Sequence, residues 1–214
     1  MRRLNWRHVP TVALLSVLVT YPLQAQGAGF DFVLILIGPP GSGKTTQANR
    51  LSKTYKVRQV SVPALLKATR GKKVKKKDAL AAPMESGDLL NDSETNLLVQ
   101  QRLKRGDLRP GFILDGYPRS AEQAEFLDSL LKEMAYSGVR VISLEAPDSV
   151  LIERMERRGR ADDTPAIVER RLAEHREEAR PIQDYYGSRQ FYRIDAGRTE
   201  ARVFQDIQEA LGLK

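Results

Sequence analysis

At 214 residues, 41% hydrophobic and 29% charged, the chain has room for one domain with small inserted flaps, and its balance excludes wholesale disorder. It contains no cysteine, which excludes disulfides, thiol catalysis and thiolate-bound metal together. The formal net charge of +8 leaves three kinds of anionic partner open: nucleic acid, a membrane surface or a phosphate-rich small molecule.

The first segment, "MRRLNWRHVPTVALLSVLVTYPLQAQGAG", carries Arg2, Arg3 and Arg7, then an apolar run from Val9 to Val19 and a small-residue tail. That layout predicts a secretory signal peptide cleaved after Ala25, and the run is too short for an ordinary membrane span. The alternative is a mis-assigned start codon. Either way residues 1–26 are set apart from a domain at 27–214, and the compartment stays open between export and the cytoplasm. Next, "FDFVLILIG" is a continuous apolar run ended by Gly38, as expected of a strand buried on both faces of a parallel sheet. "GPPGSGKTT" follows and matches G-x-x-x-x-G-K-[ST], and "QANRLSKTY" continues as a helix. Strand, glycine-rich loop and helix together predict a phosphate-binding P-loop, with Lys44 reaching β- and γ-phosphates and Thr45 offering a hydroxyl to Mg²⁺.

Further along, "VRQVSV" reads as a strand and "PALLKATR" as a helix, with Ser61 as its N-cap. "SETNLLVQQRLKRG" reads as a helix, "GFILD" as a second buried strand, and "SAEQAEFLDSLLKEMAYSG" as a helix. The rest continues as strand "VRVISLEA", helix "PDSVLIERMERRG", helix "TPAIVERRLAEHREEARPIQDYYG", strand "FYRIDA" and helix "EARVFQDIQEALG". Strands alternating with helices predict an α/β fold with a central parallel sheet covered on both faces. Asp115 ends the second buried strand, where such sheets gather ligands, and can hold Mg²⁺ directly or through water. The run of five lysines between Lys72 and Lys77 reads as a solvated face of the acceptor flap, or as a patch for an anionic partner such as membrane or polyphosphate. No interleaved aromatic residues accompany it, so nucleic acid is not expected.

Phosphoryl transfer asks a protein mainly to position two substrates and to stabilise charge on the moving group, and guanidinium groups suit both. Arg154 and Arg158 stand four apart on one helix face. Arg160 follows a glycine, Arg171 lies on the next helix, and Arg119 closes "DGYPR". On "GPPGSGKTTQA", "GFILDGYPRSAEQAEFLD" and "RMERRGRADDTPAIVERRL", the chain resembles the nucleoside monophosphate kinases, adenylate kinases most closely, from about Phe32 to the C-terminus.

That resemblance implies a three-layer P-loop NTPase fold with a small NMP-binding flap at about 61–90 and a minimal lid at about 158–163. It implies action on small nucleotides, transferring the γ-phosphate of Mg-ATP to a nucleoside monophosphate. A monomer is expected, since nothing in the sequence indicates an interface and the flaps need room to move. Gly41, Ser42, Gly43, Lys44, Thr45 and Thr46 would grip the ATP phosphates, with Arg154, Arg158 and Arg198 at the donor. Arg119 would clamp the acceptor phosphate. Gly116, Gln123, Leu89 and Leu90 would surround the acceptor's base and ribose. Arg160 and Arg171 would bridge both phosphate chains, and Thr45 and Asp115 would hold Mg²⁺.

Three departures stand out. Thr45 replaces the family's usual glycine after the P-loop lysine and restores a hydroxyl. Only Gly159 separates Arg158 from Arg160, so the lid is minimal, zinc-bound lids are excluded, and water exclusion should be poorer. The acceptor helix, usually opening S-T-G-D before a hydrophobic pair and Arg, reads "SVPALLK" here. Lys67 therefore offers a point charge where the family has a two-pronged guanidinium, with Arg70 one turn further on. Weaker AMP binding, another acceptor such as CMP or UMP, or an exported nucleotide-binding protein of little activity are the alternatives that follow.

Overall fold

A computed structural model describes residues 29–70, 91–136, 138–159, 164–187 and 191–213. In chain order the described elements are β1 (Val33–Ile37), α1 (Lys44–Tyr55), β2 (Arg58–Ser61), α2 (Val62–Arg70), α3 (Asp92–Leu103) and β3 (Phe112–Asp115). They continue with α4 (Ala121–Glu133), β4 (Val139–Glu145), α5 (Asp148–Arg158), α6 (Pro165–Tyr186), β5 (Phe191–Asp195) and α7 (Glu200–Leu211). The five strands form one sheet in the order β2-β3-β1-β4-β5, and every pairing is parallel. The expected α/β P-loop architecture is therefore present.

The apolar run of β1 explains its central place. All five residues are buried, and successive side chains enter opposite layers. Leu34 and Leu36 join Leu51 of α1 and Val203, Phe204 and Ile207 of α7 on one face. Val33, Ile35 and Ile37 join residues of α3, α4 and α6 on the other, including Val99, Leu127, Ile182 and Tyr186. Each such aliphatic side chain contributes about 1.5–3 kcal/mol on burial. A smaller cluster, Leu151, Met155, Val168 and Leu172, joins α5 to α6.

Polar ends set where helices begin and stop. The Asn91 side chain accepts from the Glu94 amide and Glu94 reaches back to the Asn91 amide, so α3 starts at a reciprocal capping box. That puts Asp92 at its first position, one residue before the start expected from the sequence. Ser120 caps α4 through the Gln123 amide. Ser61 is the last residue of β2, paired with Asp115, and α2 begins directly after it. In the sheet register Asp115 stands beside both Leu36 and Ser61, so β1, β2 and β3 end at one level. The loops that follow them carry the chemistry.

Candidate active site

The loop from Gly38 to Gly43 bends tightly between β1 and α1. Gly38, Gly41 and Gly43 all have positive φ. At Gly41 a Cβ would lie 2.8 Å from the Leu151 carbonyl oxygen, so φ of +83° and contact with α5 both require glycine there. Helix α1 has no side-chain cap and no acid in its first turn. Its first N–H groups and positive dipole end thus suit an anion. The Lys44 ammonium folds over this loop, donating to the carbonyl oxygens of Gly38 (2.6 Å) and Pro39 (2.9 Å). Burial pushes its pKa down to about 8; Asp115 pulls it up, and Arg119 and Arg158 push it further down. The Ser42 hydroxyl oxygen is buried in the same loop with no hydrogen-bond partner among the described residues.

Thr45 Oγ1 donates to Asp115 Oδ2 at 3.0 Å, and Gln59 Nε2 donates to the same oxygen at 3.3 Å. The P-loop hydroxyl and the strand-tip carboxylate are thus brought together, as expected. A hydroxyl and a carboxylate are hard oxygen donors of the kind Mg²⁺ takes, and the ion characteristically completes its shell with phosphate and water. Among the described residues no group of three or more His, Asp or Glu forms a protein-only metal cage. The Thr45–Asp115 oxygen pair fits Mg²⁺ carried with a nucleotide.

A cleft of ≈ 580 Å³ opens over this loop, lined by Gly41, Ser42, Gly43, Lys44, Thr45 and Thr46, with Arg154, Arg158 and Arg198 along its wall. All nine residues expected at the donor therefore share one cavity. Arg154 also braces the loop after β5, its guanidinium donating to the carbonyl oxygens of Ala196 (2.7 Å) and Arg198 (3.1 Å). Arg198 in turn donates to Asp195 (3.1 Å) and Asp206 (3.2 Å).

The turn after β3 builds the other half. Gly116 has φ of +79°, and a Cβ on it would meet the Pro63 ring at 2.7 and 2.8 Å. Pro63 therefore seats the start of α2 against this turn. The Arg119 guanidinium approaches the Gly116 carbonyl oxygen at 3.4 Å. Both polar ends of the buried Gln123 side chain are engaged: Oε1 accepts from the Arg119 amide (2.8 Å), and Nε2 donates to Asp92 Oδ1 (2.7 Å). Lys67 is exposed on α2. Arg171 lies on α6 and is not part of the donor cleft wall. Leu89, Leu90 and Arg160, most of the flap at 61–90, lid residues 160–163 and the N-terminal segment 1–28 lie outside the described residues.

Two residues near the centre escaped sequence reasoning. Asp92 follows the Asn91 cap of α3, whose Asn-x-x-Glu pattern marks a helix start but says nothing of a contact with Gln123. His175, on α6, lies in a second cavity of ≈ 300 Å³ that reaches Pro39 of the loop. Burial lowers its pKa to about 4, helped by Lys44, Arg119 and Arg176. A lone histidine in "AEHREE" carries no sequence signal for such a position.

Comparison with known proteins decides what this arrangement is. The family profile described as adenylate kinase matches residues 36–191. The chain belongs to the adenylate kinase family. It is 39% identical over 179 residues to an adenylate kinase of Leuconostoc mesenteroides, covering 83% of this chain and 96% of that protein. It is 36% identical over 180 residues to adenylate kinase 1 of Nostoc sp., covering 84% and 98% respectively. An adenylate kinase of Mycobacterium tuberculosis is 37% identical over 179 residues, at 84% and 98% coverage. As a member of this family the chain is an ATP-dependent nucleoside monophosphate kinase, a phosphotransferase with nucleotide substrates. Members of the family use ATP with Mg²⁺. No helix among the described residues is long and apolar enough to cross a membrane.

Proposed function

We propose that the chain catalyses ATP + AMP = 2 ADP. The observation that carries this reading is the meeting of a half-buried Lys44, the Thr45–Asp115 pair and Arg119 around the tips of β1 and β3. The relatives named above, all called adenylate kinases, support AMP as the acceptor.

ATP lies in the ≈ 580 Å³ cleft with its phosphates on the amides of Gly41 to Thr46. Arg154 and Arg198 shape the donor wall, and Arg158 faces the donor phosphates. Thr45 and Asp115 would hold a Mg²⁺ ion that arrives with ATP, and the ion would supply neutralisation of the phosphate charge. Lys44 leaves its backbone carbonyl partners for the phosphates, whose charge favours its ammonium form. Arg119 holds the acceptor phosphate, with Lys67 as a point charge behind it. Gly116 and Gln123 face the acceptor's base and ribose, a role the family resemblance also assigns to Leu89 and Leu90. By the family resemblance, Arg160 and Arg171 would bridge both phosphate chains. Catalysis on this reading is electrostatic, with cationic groups placed where charge moves.

By the family resemblance, a flap at about 61–90 would cover the acceptor and a short lid at about 158–163 the donor. A Val62–Pro63 pair where relatives of this family usually have Thr-Gly favours one second reading, a pyrimidine monophosphate acceptor. A coupled assay of ADP formation with AMP, CMP, UMP and dAMP tests both. Turnover led by AMP supports the proposal; turnover led by CMP or UMP replaces it.

A further inference from the structure

We infer that Asp92 is a specificity-positioning residue: together with the Arg119 amide it holds the Gln123 carboxamide in one of its two orientations, so the acceptor site accepts amino-edged bases and rejects keto-edged ones. This rests on the reading above that Gln123 faces the acceptor base.

A glutamine carboxamide presents a donor and an acceptor side by side, and a half-turn about its last bond exchanges them. Left free, it can match adenine, which offers a ring-nitrogen acceptor beside an amino donor. It can equally match hypoxanthine, which offers a ring N–H donor beside a keto acceptor. Gln123 is not free. The Arg119 amide can only donate, and it lies 2.8 Å from one end of the carboxamide, which must be oxygen. The Asp92 carboxylate can only accept, and it lies 2.7 Å from the other end, which must be nitrogen. Turning the group over would set N–H against N–H and oxygen against oxygen at a side chain that is 4% exposed. Its orientation therefore follows from the chemistry of its neighbours and not from assignment of indistinguishable atoms.

Asp92 is itself fixed. Its other oxygen, Oδ2, accepts from Ser120 Oγ at 2.5 Å, and Ser120 Oγ accepts from the Gln123 amide at 3.1 Å. The three side chains close a ring linking the first turns of α3 and α4. Asp92 sits in the first turn of α3, where the helix dipole favours its charge. With these bonds made, Gln123 keeps one N–H and one lone pair, in a fixed order, for a base.

The test is steady-state kinetics of the full chain with AMP and IMP as paired acceptors at saturating ATP, for wild type, Asp92→Ala and Asp92→Asn. Wild type should prefer AMP. In Asp92→Ala the AMP/IMP ratio of kcat/KM should fall about tenfold, the size of one buried hydrogen-bond preference, with the KM for ATP unchanged. Asparagine can accept from Gln123 and donate to Ser120, so Asp92→Asn should keep most of the wild-type ratio. If Asp92→Ala lowers turnover of both acceptors alike, or if wild type uses IMP as well as AMP, the inference is wrong. Should Asp92→Ala fail to fold, an Asp92→Asn ratio fallen as far as that of Gln123→Leu would overturn it equally. A wild-type chain that ignores AMP would overturn the proposed function together with it, and that result appears before any substitution is made.

Discussion

Gly116→Ala should be destabilising for two separable reasons, and Pro63 provides the means to separate them. The new Cβ would lie 2.7 Å from Pro63 Cδ and 2.8 Å from Cγ, inside any tolerated contact. Relieving that overlap costs about 1–3 kcal/mol. Alanine at φ of +79° costs about 1–2 kcal/mol more, whatever its neighbours. The single variant should therefore lose about 2–5 kcal/mol, and at about 2–4 °C per kcal/mol its melting point should fall by at least about 4 °C. Pro63→Gly alone should cost no more than about 1–2 kcal/mol, because it loosens the start of α2 without creating a clash. Combining the two removes the ring that the Cβ strikes, so the double variant should be more stable than the sum of single effects by about 1–3 kcal/mol. The assay is urea unfolding of the four proteins, with the acceptor KM measured alongside. Strict additivity would show that Pro63 does not rest on Gly116, and the picture of α2 seated on this turn would fail.

Other consequences are more direct. Tyr117→Phe removes the donor to Asn96 Oδ1 (2.5 Å) and to the Gln123 carbonyl (3.2 Å) in a buried site, and should cost about 1–3 kcal/mol in urea unfolding. Thr45→Val keeps the side-chain shape but leaves Asp115 without its 3.0 Å donor; kcat should fall about tenfold or more, with a raised Mg²⁺ requirement in a metal titration. His175 protonates near 6.5 when unfolded and near 4 when folded, so between those values the unfolded chain binds more protons. Its contribution is complete above about pH 6.5 and is lost as pH falls toward 4, a difference on the order of 3 kcal/mol. His175→Gln should flatten that acid limb in melting curves taken from pH 7 to pH 4; an unchanged limb would count against burial among Lys44, Arg119 and Arg176.

Where the sequence was most legible, one interaction dominated. The apolar run of β1 has a single sensible place, the middle of a doubly covered sheet, and the glycine spacing of the following loop demands its positive φ values. Boundaries were less readable because they depend on distant partners. The residues after Glu133 form helices well, yet α4 stops there, because Arg109 takes the carbonyl oxygens of Met134 and Ala135 and stacks 4.3 Å over Tyr136. Tyr136 in turn packs edge-on against Phe112, with ring centroids 5.4 Å apart. None of this leaves a local stop signal. In the site, the P-loop residues and Asp115 were legible because phosphate chemistry prescribes them. Asp92 was not: it meets Gln123 across 31 residues, only because α3 and α4 pack side by side. Nor was the bracing role of Arg154, whose carbonyl partners lie 42 and 44 residues away.

The central claim is that cationic groups around two facing phosphate chains pass a phosphoryl group between nucleotides. Phosphorus NMR of the full chain with Mg-ATP and AMP tests it most directly. The account predicts two ADP for each AMP consumed, and loss of this exchange in Arg119→Ala. ATP consumed to phosphate with AMP untouched, or exchange that persists undiminished in Arg119→Ala, would contradict it.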